Sequence, residues 1–156
     1  MGVAKFKVLS WDKLTRDELH AIVRLRIDVF VVDQDCPYPD LDGKDLNSLH
    51  VFSMREGESP ESGASAASYI RICAPGVSYK EPSIGRVATA LDRRGKGLGQ
   101  EIMRVAIEEC EKQWPGEGIR ISAQCYLDKF YGDLGFVSTG EQYLEDNLPH
   151  IQMFRA

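Results

Sequence analysis

Seven residues, Arg93 to Gly99, gather three cations and three glycines in a chain whose formal net charge is -5. They lie between an apolar segment, "IGRVATAL", and a run with helical periodicity, "EIMRVAIEECEKQW". A strand, a glycine turn and a helix start in that order expose backbone N–H groups where the helix dipole favours negative charge. Pyrophosphate suits such a site: glycines let it approach the backbone, and Arg93, Arg94 or Lys96 balance its charge. The bland alternative is a flexible cationic turn before a helix. No Walker frame exists, because Gly95-Lys96 is followed by Gly97 rather than Ser or Thr. The dinucleotide fingerprint also fails, since Gln100 or Ile102 falls where its third glycine belongs.

The frame that does fit is Arg-x-x-Gly-x-Gly, carried by Arg94, Gly97 and Gly99. It resembles the acetyl-coenzyme A signature of the GNAT acetyltransferase superfamily. Downstream, "LDKFYGDLGF" is similar to a second hallmark of that superfamily, in which the tyrosine matching Tyr131 protonates the departing thiolate. A phenol, with a reference pKa of about 10, stays protonated at neutral pH and can serve as that acid. A helix tyrosine that only packs its ring is the alternative. Read together, "LRIDVFVVDQDCPYPDLDGKD", His50, "IGRVAT", "RGKGLG", "AQCYLDKFY" and "EDNLPHIQM" resemble the ElaA-like branch over nearly the whole chain. Asp33 stands where that branch has glutamate, and Asn147 where it has glycine.

The resemblance implies an α/β fold of mixed α+β character, the GNAT acyl-CoA N-acyltransferase fold. Its twisted, mostly antiparallel sheet has about six or seven strands flanked by about four helices and splays at the fourth and fifth strands. It also implies that Val87, Ala88 and Thr89 hold the pantetheine arm through their backbone, and that Arg94, Gly95, Lys96, Gly97, Leu98, Gly99 and Gln100 hold the pyrophosphate. The activity implied is direct acetyl transfer from acetyl-coenzyme A, as co-substrate, to a primary amine. The alternatives are a non-catalytic acyl-coenzyme A binder or sensor, and a phosphate-binding interaction domain. Relay through a cysteine thiolate, with Cys125 nearest the expected site, is a further alternative.

A base must take the acceptor's ammonium proton, and His150 is a candidate because imidazole is the side chain suited to proton transfer near neutral pH. Glu145 and Asp146 precede it and can position it or bind a cationic acceptor; equally, His150 can be an ordinary strand residue. Asp33, Gln34, Asp42 and Asp45 are candidates for the acceptor side, in a loop rich in aspartate, with His50 following it. The competing reading is an acidic loop that caps nearby backbone. Calcium is not expected there, since an EF-hand frame on Gly43 puts Tyr38 and Leu49 at ligand positions. No metal is expected.

The elements that must position these residues follow from pattern. "KFKVLSW" reads as a strand, and "TRDE" at Thr15–Glu18 as a capping box opening a helix through Leu19, Ile22, Val23 and Arg26. "DQDCPYPDLDGKD" is a loop or broken helix. "LHVFSM" and "AASYIRICA" read as strands joined through the polar "REGESPESGAS". "IGRVATAL", the helix after the glycines, "IRISAQ", a short helix in "YLDKFYGDLGF", and two closing strands, "GFVSTGEQYL" and "HIQMFRA", complete the order.

With 156 residues and 43% hydrophobic content, one domain spanning 1–156 is expected. A pI near 5.2 argues against general affinity for nucleic acid or anionic membranes. "MGVAKFKVLSW" lacks a basic region followed by a long apolar core, so a cytoplasmic protein is expected. Its four cysteines, with no CxxC, are expected as reduced thiols. The acceptor is expected to be a small-molecule or peptide amine, and the protein a monomer or homodimer.

Overall fold

A computed structural model describes residues 5–156. Met1–Ala4, the start of the amino-terminal reading above, lie outside the described residues. Strand β1 is Lys7–Ser10, and helix α1, Arg16–Arg26, opens on Thr15 as the sequence reads. Thr15 Oγ1 accepts the Glu18 N–H at 3.0 Å while Glu18 Oε1 accepts the Thr15 N–H at 2.9 Å. Thr15→Ala is expected to lower stability by about 1 kcal/mol, measurable by urea unfolding.

α1 widens at its end into a π turn, Ile27–Val32, closed by the Asp33 N–H on the Asp28 carbonyl at 2.8 Å. The chain then runs irregularly, because Pro37 and Pro39 supply no N–H, until a 3-10 turn at Lys44–Asn47. Strands β2 (Ser48–Ser53) and β3 (Ser68–Cys73) form the expected hairpin pair. β4 (Ser83–Thr89) leads through the glycine loop into α2 (Leu98–Gln113), then β5 (Ile119–Gln124) and α3 (Asp128–Gly132).

The last part departs from the sequence reading. "GFVSTGEQYL" is not one strand but two short ones, β6 (Val137–Ser138) and β7 (Tyr143–Glu145), both along the same edge of β8 (Leu148–Arg155). The ladder holds as far as Thr139, whose N–H reaches the Gln152 carbonyl at 3.0 Å, and breaks at Gly140. The described α-helices number three, rather than about four, since the proline-bearing stretch after α1 stays irregular.

The eight strands form one sheet, in the order β1-β2-β3-β4-β5-β8-β6 with β7 also on β8. All described pairings are antiparallel except β4–β5. Alternation sends successive side chains to opposite faces. Val51, Ile70 and Ile72 pack with Ile102, Met103, Ala106 and Ile107 of α2. Phe52 and Tyr69 pack with Ile22, Leu25 and Val29 on the α1 side. β3 is buried along its entire length, so it is the centre of both layers.

Candidate active site

β4 and β5 register at a single pair, Ser83 with Arg120, backed by the Arg120 N–H on the Pro82 carbonyl at 3.0 Å. Beyond it the strands part, and the β5-facing edge of β4 loses its ladder partner. A cleft of about 420 Å³ opens there, lined by Ile84 to Val87 on one strand and by Ile121, Ser122 and Gln124 on the other. The β4 backbone is irregular at this place. Tyr69 pairs with Ala88 and Arg71 with Gly85, so Arg86 and Val87 together oppose Ile70, with Arg86 at φ 51°. A positive φ costs an arginine energy and persists only when its surroundings hold it. Here the side chain does so. Arg86 Nε lies 3.0 Å from Asp40 Oδ1, Nη2 donates to the Asp40 carbonyl at 3.0 Å, and the guanidinium sits 5.3 Å over the Tyr38 ring.

At the far end of β4 the glycine loop leads into α2. Gly95 and Gly97 adopt φ 79° and 77°, a region L side chains rarely enter. Gly97 is also the N-cap of α2, and the first intrahelical bond is the Glu101 N–H on the Gly97 carbonyl at 3.1 Å. The amides of Leu98, Gly99 and Gln100 therefore point out of the helix start without an intrahelical acceptor. Gly99 lies against Phe130 and Thr89, close enough that an added Cβ would touch the Phe130 ring at 3.6 Å. Lys96 is exposed, and Arg94 folds back with Nε on the Thr89 carbonyl at 3.1 Å. Ala88 turns its side chain into the core and Val87 turns to the cleft, so this strand meets a ligand with Val87 and with backbone.

Tyr131 lines the cleft from α3 with its ring held edge-on by Phe130 and Phe136, at centroid distances of 5.0 and 6.0 Å. Burial, and then the nearby Tyr126, push its phenol well above the usual tyrosine range, so it stays protonated. His150 also lines the cleft. Its Nδ1 is 2.7 Å from the Leu148 carbonyl, which only accepts, so Nδ1 carries the hydrogen and Nε2 holds the lone pair in the neutral ring. Nε2 lies 3.4 Å from Glu145 Oε2, and Tyr143 stacks on the ring at 6.1 Å. Tyr143 in turn hydrogen-bonds Ser122, whose Oγ is 3.5 Å from Glu145 Oε1. Asp146 and Asn147, at φ 49° and 63°, make the two-residue turn joining β7 to β8. Both residue types tolerate that conformation, so Asn147 serves where the branch has glycine.

The candidates for the acceptor side divide. Gln34, Glu145 and Asp146 line the cleft with Tyr131 and His150. Asp33 does not: its Oδ2 lies 3.6 Å from Arg94 Nη2, in a separate hollow beside the glycine loop. Asp45 is buried, 2.8 Å from Arg26 Nη1 and 3.1 Å from Arg71 Nη1. His50 is fully buried, between the Tyr69 hydroxyl at 2.6 Å and the Asp45 carbonyl at 2.9 Å. Since the carbonyl accepts, Nε2 donates and Nδ1 takes the Tyr69 proton; burial pushes the ring's pKa down and keeps it neutral. Neither Asp45 nor His50 lines the cleft.

The acidic loop is a counter-charge for arginines that come from three other elements. Arg26 Nε lies 2.9 Å from Asp40, and Asp42 takes both Nη1 and Nη2 of Arg71, at 2.7 and 2.9 Å. Burial opposes ionisation of Asp42, but these bonds, the Lys44 N–H and the Arg86 charge outweigh it and hold the carboxyl below its ordinary range. Arg71 and Arg86 are site residues that the sequence reading passed over. One signal was present: a lone arginine inside "YIRICA" or "IGRVAT" must find a carboxylate if the strand is buried. Among the cysteines, none in a disulfide, Cys36 and Cys73 line the cleft and Cys125 does not.

The family profile described as an acetyltransferase (GNAT) domain matches residues 61–155. Protein ElaA of Escherichia coli K12 is 36% identical over 149 residues, covering 94% of this chain and 93% of ElaA. The crystal structure of E. coli ElaA superposes with a TM-score of 0.88 over 99% of this chain and 100% of that one. The structure of an acyl-CoA N-acyltransferase from Pseudomonas aeruginosa, 37% identical, superposes with a TM-score of 0.89 over 99% of this chain and 100% of that one. Sequence and fold agree along almost the full length, and the chain belongs to the GNAT acetyltransferases, within the group that contains ElaA.

Proposed function

We propose that the protein transfers the acetyl group of acetyl-coenzyme A directly to the primary amine of an acceptor, in a ternary complex. The observation that carries this reading is the continuity of one path. It runs from the outward amides of α2, along the unladdered edge of β4, to a cleft holding both a protonated phenol and an imidazole lone pair. The amides of Leu98 to Gln100, with Arg94, Lys96 and the turn at Gly95 and Gly97, bind pyrophosphate. The backbone of Val87, Ala88 and Thr89 binds the pantetheine amides as an added strand would. A backbone N–H at the Arg86–Val87 bulge donates to the carbonyl oxygen as charge develops there.

The bound thioester supplies an electrophilic carbonyl and a sulfur leaving group. His150 Nε2 takes the ammonium proton, directly or through water, and Glu145, 3.4 Å away, stabilises the imidazolium. The amine lone pair forms the C–N bond, the C–S bond breaks, and Tyr131 delivers its proton to sulfur; the second proton that the nitrogen loses on becoming an amide returns through water to the Tyr131 oxygen. The phenol stays protonated at neutral pH, so its proton is in place when sulfur departs. Gln34, Glu145 and Asp146 face the acceptor. Four unbonded cysteines suit a cytoplasmic setting.

Calorimetric titration with acetyl-coenzyme A, with ATP and NAD as controls, tests the cofactor part. Selective saturable binding is expected; equal binding of all three, or none, contradicts it. Gly97→Val forces a β-branched residue to φ 77° at the helix start. Its affinity for acetyl-coenzyme A should fall about tenfold or more, from strain of roughly 1–2 kcal/mol plus lost approach to the amides. Unchanged affinity would refute the loop assignment.

A further inference from the structure

The lining of the cleft carries charge of both signs, and the ion pairs around the acidic loop leave one cation over. Arg26, Arg71 and Arg86 are matched by Asp40, Asp42 and Asp45. Lys44, which lines the cleft, meets among the described residues only the neutral hydroxyl of Ser78, 3.1 Å from its Nζ. Beside it Arg71 is 4% exposed, and its Nε has no hydrogen-bond partner among the described residues. A half-buried ammonium without a carboxylate attracts an anion into the space it faces.

The β7–β8 turn has the reverse character. Glu145 and Asp146 bring two carboxylates to the cleft there, where the basic side chain is His150. Lys44 and these carboxylates line one space. Tyr79 follows Ser78 in sequence, and its phenol is pushed up by burial and then by the nearness of Tyr143 and Glu145. Cys36 Sγ, 3.6 Å from the Asp146 carbonyl, ties the loop that carries Lys44 to the β7–β8 turn.

We propose that the acceptor is a zwitterion of the amino-acid class, its amine toward Glu145 and His150 and its carboxylate beside Lys44. The inference rests on the amine-acceptor reading above and narrows it. A polyamine would set a second ammonium against Lys44, and a protein lysine would leave that cation without a partner.

The test measures coenzyme A release from acetyl-coenzyme A. The acceptors are the common α-amino acids and ω-amino acids of increasing length, each beside the amine that lacks its carboxyl group. The expected result is a carboxylated acceptor whose kcat/KM exceeds that of its carboxyl-free partner by about tenfold or more. That ratio should collapse to within about twofold in Lys44→Met and recover in Lys44→Arg, with acetyl-coenzyme A affinity equal in all three. Carboxyl-free amines or polyamines used as well as the zwitterions overturn the proposal and leave the acyltransferase reading standing, as does a ratio unchanged in Lys44→Met. Turnover of no amine by protein that binds acetyl-coenzyme A overturns both.

Discussion

Tyr131→Phe is expected to lower kcat by about 100- to 1,000-fold, the range a positioned general acid supplies. Its affinity for acetyl-coenzyme A should stay within about twofold of wild type, because the lost atom acts when sulfur departs rather than when the thioester binds. The ring should remain in place. It packs edge-on between Phe130 and Phe136, and phenylalanine preserves those contacts. Burial lifts the phenol well above the ordinary tyrosine pKa, so the alkaline limb of the wild-type pH–rate profile should not sit at the usual value of about 10. Steady-state kinetics with titration calorimetry separates the two effects. A kcat within twofold of wild type would remove Tyr131 from the chemistry.

Arg26→Met should destabilise the protein by about 3 kcal/mol or more, since removing one partner leaves buried carboxylates without their counter-charge. The guanidinium is fully buried and donates to Asp40 Oδ2, Asp45 Oδ1 and the Asp40 carbonyl at 2.9, 2.8 and 2.9 Å. For a chain of this length that loss corresponds to a Tm lower by roughly 6–12 °C. A change under about 1 °C would show that the ion pairs do not hold the segment. Acid should weaken the same network. Asp42 has its folded pKa depressed, so its contribution is complete above the unfolded value of about 3.9 and is lost as pH falls through the lower folded one. Unfolding should therefore begin below about pH 4.

The glycine turn and the short helix that carries Tyr131 were legible because both are local structure. Gly95 and Gly97 take a backbone conformation that few other residues accept, and Tyr131 sits in a short helix closed by its own glycine. The capping box at Thr15 is local too, and it formed. The acidic loop was not legible for the opposite reason. Asp40, Asp42 and Asp45 stand together in sequence, but the arginines that neutralise them lie at the end of α1 and inside β3 and β4. A reader of the chain sees the acid without its counter-charge and assigns it to a cationic ligand. The surroundings of His50 were not legible either, because its partner Tyr69 arrives only when β2 and β3 pair. The bulge at Arg86 and the break between β6 and β7 depend on partner strands as well.

The arginine–aspartate network gives these structural residues a link to function. Through Arg86 it fixes the irregular turn of β4 from which the carbonyl oxygen would be met, and through Asp42 it anchors the loop bearing Gln34 and Lys44. Arg26→Met should therefore lower kcat/KM as well as Tm when assayed below its melting transition.

The central claim is direct acyl transfer, and mass spectrometry of a single turnover with labelled acetyl-coenzyme A and an amine tests it most directly. The account predicts that label appears on the acceptor nitrogen, that coenzyme A is released in equal amount only when amine is present, and that the protein's mass does not change. Label on the protein, or coenzyme A release that ignores the amine, would contradict it.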